Sequence, residues 1–215
     1  MSFLDQLKSQ ASALQSAQTL QQTQSTAALQ QTEAAAKMTW FYLTDLGKQL
    51  NVIEPPGPSL SLNGKTPWPA MKLLDFQVDA RKKKLRDQDV YDYIAIGWRI
   101  APCEGVPVSG SVSANFPPEL SRIEARLFAG AVKHERVNVR HPQKDTLQEI
   151  RFDYQTQARA SITITADHDA AKLSFRLANV TGFEVLNTVY RVDQIQGGVL
   201  DELAKLIVGQ SSRFI

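Results

Sequence analysis

The sequence predicts an α+β protein: a mainly antiparallel β-sheet of about six or seven strands, preceded by a long N-terminal helical arm and followed by a C-terminal helix. Three observations predict it. Apolar residues recur at three- and four-residue spacing up to Ile53, the period switches to two after Pro69, and helical spacing returns at Val199.

The arm comes first. Residues 2–33 are rich in Gln, Ala, Ser and Thr and contain neither Gly nor Pro. Leu4, Leu7, Ala11 and Leu14 form an amphipathic seam, which then runs onto Gln18, Gln21 and Ser25. Ala and Gln favour helix, so helix is expected, but a sustained coiled coil is not. Further on, Trp40, Leu43, Leu46, Leu50 and Ile53 make one apolar stripe, widened by Met38 and Phe41. That stripe predicts packing against the body, while residues 9–33 are expected to be more exposed or to contact another chain. Pro55-Pro56-Gly57-Pro58 must end the helix, since proline removes a donor and disfavours helix in the residue before it. Pro67 and Pro69 prolong the break. The expected organisation is an arm over 1–54, a proline-rich connector over 55–70 and a sheet domain over 71–215.

Within the sheet domain, Leu74, Phe76, Val78 and Ala80 alternate with polar residues, as do Ile94, Ile96, Trp98 and Ile100. The charged stretch 82–89 between them is expected to be the hairpin end. A third strand is expected over about 108–116, and a short polar one near 134–140. Pro117-Pro118-Glu119 opens a helix near 118–130, with Leu120, Ile123 and Leu127 on one face and Gly130 as its stop. The alternation from Ile150 to Ile164 would span roughly 50 Å as one strand, so a bend or hairpin is expected near Gln155 to Gln157. Asp167-His168-Asp169 predicts a turn, with strands either side of Gly182 to follow. Val199, Leu200, Leu203, Leu206 and Ile207 predict the last helix, near 197–208.

Composition excludes several function classes. There are 24 basic and 22 acidic residues, a net charge of +2, so no global field draws the chain to nucleic acid or anionic membrane. Cys103 is the one cysteine, which rules out an internal disulfide. The N-terminus has no basic region followed by an apolar one, and no apolar run approaches the ~20 residues of a membrane span. A cytoplasmic location is the expectation.

Chemistry-bearing motifs are sparse. His134, His141 and His168 lack ligand spacing with one another or with Cys103, so no metal is expected. Nothing in sequence places a base beside Cys103, and no Gly-x-Ser-x-Gly elbow or glycine-rich phosphate loop occurs. No catalytic residue and no cofactor are therefore expected. Two features remain as a candidate interaction surface. One is the seam Leu4, Leu7 and Leu14. The other is the basic cluster Arg81, Lys82, Lys83, Lys84 and Arg86, close to Tyr91 and Tyr93. Asp79, Asp87 and Asp89 bring the cluster's local net charge to +2, and lysines at a hairpin end guard against edge pairing. A solvated surface is thus expected there rather than a nucleic-acid site.

The stretches Ser2-Phe3-Leu4-Asp5-Gln6-Leu7-Lys8, Arg81 to Asp92, and Leu200-Asp201-Glu202-Leu203-Ala204 through Gly209-Gln210 resemble a family of bacterial proteins of similar length. No activity is assigned to that family, so the resemblance implies a bacterial, cytoplasmic protein and no mechanism. The expected role is a non-enzymatic interaction or structural one, with residues 1–36 pairing with a second copy or another protein. The alternative is a carrier holding an apolar ligand or lipid in a curved sheet.

Overall fold

A computed structural model describes residues 3–215, with the side chains of Leu4 and Asp5 outside the description. The fold is α+β with antiparallel sheets, as the sequence predicts. It begins with one continuous helix, α1 (Phe3–Ile53). Its hydroxyl residues satisfy themselves: Ser16, Thr19, Thr23 and Thr26 each donate to the carbonyl four residues back at 2.9 Å. Thr32 and Thr39, fully buried, do the same at 2.7 and 2.8 Å. Their burial therefore leaves no hydroxyl proton unpaired. The helix stops just before Pro55-Pro56, with Glu54 turning into the left-handed region at φ 46°.

Residues 54–70 form no regular element, yet Leu60, Leu62 and Trp68 are buried in the core. The segment therefore packs as part of the body.

Strands β1 (Met71–Leu85) and β2 (Gln88–Pro102) make a long hairpin. Its turn is only Arg86 and Asp87, both at positive φ (50° and 62°), the two-residue geometry that matches strand twist. The expected hairpin end at 82–89 is otherwise strand, with Lys82 opposite Tyr91, Lys83 opposite Val90 and Lys84 opposite Asp89. Arg81 to Lys84 on β1 are exposed and carry no apolar alternation, while Val90 and Tyr91 on the facing strand are buried.

The remaining elements are β3 (Ser109–Ala114), α2 (Pro117–Ala129), β4 (His134–Arg140), β5 (Leu147–Gln155), β6 (Ala158–Asp167), β7 (Lys172–Ala178), β8 (Val185–Arg191), a short 3-10 helix (Val192–Gln194) and α3 (Gly197–Ile207). They form a five-stranded sheet in the order β1-β2-β6-β7-β8 and a three-stranded sheet in the order β3-β5-β4. Every pairing is antiparallel. The expected bend near Gln155 carries the chain from one sheet to the other, so the 150–164 run contributes two strands. Among the described residues there are eight strands rather than six or seven.

One face of the large sheet carries Phe76, Ile94, Ile96, Trp98, Ile162, Ile164, Leu173 and Phe175, all buried. Helix α1 lies on this face, antiparallel to β1. Gly47 sits where an added Cβ would come within 3.3 Å of Val78, so glycine permits the close approach. Helix α3 covers the face beside α1, and Tyr42 on α1 donates to Asp201 on α3 at 2.7 Å. The tail then folds back to bury Phe214 between the rings of Phe175 and Tyr190. The opposite face of the large sheet is open and polar.

Candidate interaction surface

The length of the hairpin decides which part of α1 is free. Near the hairpin's base, Asn51 hydrogen-bonds both backbone groups of Phe76, at 2.7 and 2.9 Å. Nearer the tip, the Glu33 carboxylate accepts the backbone N–H of Tyr91 at 2.8 Å and contacts Nε2 of His168 at 2.9 Å. At the tip, Arg86 donates to the carbonyl of Ser25 at 3.3 Å and pairs with Asp169. There the sheet ends and the helix continues. Every described side chain from Phe3 to Gln24 is exposed, whereas Leu29, Thr32, Ala35 and Ala36 are buried. The change from free to packed therefore falls at Ser25, earlier than the residue-33 boundary expected from sequence. Small residues and threonines, rather than large apolar ones, make the first buried turns, and these carry little hydropathy signal.

The expected seam residues Leu7 and Leu14 lie on this free arm, 46% and 65% exposed, with Phe3 at 74%. Leu4 falls outside the described side chains. Leu7 lies 36 residues before Leu43, and Leu14 lies 36 before Leu50. That separation is about ten helical turns, so the exposed leucines share the azimuth of the buried ones. The face that packs on the sheet thus runs on past its edge, through Gln21 and Gln18 to Leu14, Ala11 and Leu7. A groove of about 700 Å³ opens where arm and body part, lined by Gln18, Gln21, Ser25, Ala28, Arg86 and Asp169.

The basic cluster is distributed over the hairpin and is locally matched. Lys83 lies 2.9 Å from Asp92 and Arg81 lies 4.0 Å from it. Lys84 is 3.3 Å from Asp89, and the Lys82 ammonium sits 4.9 Å from the centre of the Tyr91 ring. The Lys83 ammonium holds the Asp92 carboxyl below the usual carboxylate range. Among the described residues, Arg86 is the member of the cluster that hydrogen-bonds the arm, at its root.

Sequence reading missed the Glu33–His168 pair. His168 follows an ordinary turn, in which Asp167 accepts the backbone N–H groups of Asp169 and Ala170. Yet its ring is buried, 3% exposed, against a helix 135 residues earlier. The one available hint was Glu33, a lone acid within an uncharged stretch.

Among the described residues, no group of three or more His, Cys, Asp or Glu side chains is gathered as a metal ion would require, and Cys103 is exposed. Among them, no helix is long and apolar enough to cross a membrane. The chain has no significant match to a described protein family, a curated protein or a solved structure.

Proposed function

We propose that the chain is a non-enzymatic interaction protein that self-associates through the free N-terminal arm of α1. The observation that carries this reading is the continuity of the helix face. Leu7 and Leu14 extend, into solvent, the stripe that Leu43 and Leu50 bury. An isolated helix of the arm's length is marginal in water. This one avoids the nucleation cost because the packed half already provides the template, but its ordering still costs conformational entropy that burial must offset.

A second copy is the partner that the composition favours. From Gln6 to Thr32 the only charged residue is Lys8, so two identical arms meet without appreciable repulsion. Leucines at the arm's end supply apolar contact, and the glutamines at its root can pair across the interface. The carrier alternative has less support, because the apolar sheet face is filled by α1, α3 and Phe214.

Sedimentation velocity over a concentration series tests the reading. The wild type is expected to form a reversible dimer, and the double variant Leu7→Glu/Leu14→Glu to sediment as a monomer whose Tm equals that of wild type at dilutions where it too is monomeric. A wild type that stays monomeric throughout, or a variant that dimerises as well, rejects it.

A further inference from the structure

The open face of the large sheet bears a cleft of about 490 Å³ that the arm does not touch. Its floor is made of small residues in cross-strand register: Gly97 faces Ser161, which in turn faces Ala178, with Ala95 beside them. A Cβ on Gly97 would approach nothing but Ala160 O and Ser161 Cβ, at 3.7 and 3.9 Å, so the floor is open from above.

At one end of this floor, Arg99 on β2 is paired directly opposite Arg159 on β6. Both side chains lie on the open face, since their strand neighbours Trp98, Ile100, Ala158 and Ala160 are buried on the other. Like charges directly opposite one another in a sheet are destabilising, and a local rule broken without local compensation marks a functional position. Compensation here is partial and directed. Asp75 accepts from Nε of Arg99 at 2.8 Å, which leaves both terminal amines of Arg99 without a protein partner among the described residues. The Arg159 guanidinium has no such partner either.

The backbone is adapted to place Asp75. The β1–β2 register slips between Leu74 and Gln77, and Asp75 adopts a left-handed φ of 57° in the resulting bulge. Asn51 at the end of α1 holds that bulge through its two hydrogen bonds to Phe76. Bulges recur next to functional sites because they re-aim a side chain.

We propose that this cleft binds a small molecule through an oxyanion, a carboxylate or a phosphate group, gripped by Arg159 and Arg99. Two planar guanidinium groups side by side present parallel donors that match either oxyanion. Asp75 fixes the stem of Arg99 in the working orientation, and the Ser161 hydroxyl on the floor adds a donor. Asp79 and Gln77 on the β1 rim accept hydrogen bonds from hydroxyl or amine groups on the remainder of the ligand. An anion bridging the two arginines also removes their mutual repulsion, so binding and sheet stability are coupled.

The test is thermal unfolding of the full chain titrated with inorganic phosphate and, separately, with succinate, against sodium chloride at matched ionic strength. A ligand that binds only the folded state raises Tm, and above its Kd the rise grows with the logarithm of concentration. A rise above the chloride control that grows with the logarithm of concentration is expected with one or both anions, abolished in Arg159→Gln and only partly retained in Arg159→Lys, which keeps the charge but loses the fork. Phosphate alone would assign a phosphoryl ligand, succinate alone a carboxylate, and both the shared oxyanion chemistry. Arg159→Gln without ligand is expected to melt no lower than wild type, since it relieves the repulsion. No rise above chloride with either anion, or an equal rise in Arg159→Gln, overturns the proposal.

Discussion

Glu33 shows how much one side chain can join. Its carboxylate serves Tyr91 on β2 and His168 at the β6–β7 turn, tying the first fully packed turns of α1 to two strands at once. Removing it strands a buried N–H and a buried imidazole. Glu33→Ala is therefore expected to cost about 1.5–3 kcal/mol, the range for hydrogen bonds to a charged group. In a double-mutant cycle with His168→Ala, urea denaturation should give a non-zero coupling energy; strictly additive losses would mean that the contact contributes nothing. Asp92 makes a second, electrostatic case. Lys83 depresses its folded pKa, so its contribution is fully present above the unfolded value of about 3.9. It is lost as pH falls through the lower folded value. An NMR titration of the Asp92 carboxyl should show a midpoint below the ordinary aspartate value, returning upward in Lys83→Met. An identical midpoint in both proteins would contradict the ion pair. Neither residue was legible in sequence, because both act through partners that only the fold brings near.

At the scale of elements, α1 is two helices in one. Its C-terminal half is held by the part of the expected apolar stripe from Trp40 to Leu50, and its N-terminal half has no support beneath it. Met38, Phe41 and Ile53, expected in the same stripe, stand 45%, 59% and 66% exposed. Leu43→Ala, at a fully buried position, should cost about 2–5 kcal/mol. Leu14→Ala should leave monomer stability almost unchanged, and chemical denaturation of the pair at low concentration distinguishes them. Equal losses would place Leu14 in the body's core. The β1–β2 hairpin was less readable. Its period-two pattern fades over the exposed residues Arg81 to Lys84, so the charges locate the hairpin end but not the strand that runs on to Leu85. Replacing Lys82, Lys83 and Lys84 together by Ser should alter stability little, since exposed ion pairs are worth about 0–1 kcal/mol each. A wild type that binds an oligonucleotide with a steep salt slope, lost in that variant, would instead assign the hairpin to nucleic acid.

The whole molecule follows from a mismatch of lengths. A 51-residue helix lies on a hairpin whose strands are 15 residues each, and the excess helix has to leave the body at the tip. The period switch at Pro69 and the helix-breaking prolines made the α+β class and most strand positions legible, down to the bend that moves the chain between sheets. The point where α1 leaves the body was not legible, because Ser25, Ala28 and Thr32 resemble the free arm in composition. Nor was the oxyanion cleft, whose arginines lie sixty positions apart and meet only through the β2–β6 register. If the arm is the association surface, its amides, and not those of the body, should respond to concentration. Hydrogen exchange followed by mass spectrometry measures this directly. Peptides from residues 3–24 should gain protection as concentration rises, while those from 29–50 stay protected throughout. Arm amides that exchange at one unprotected rate at every concentration would contradict the account.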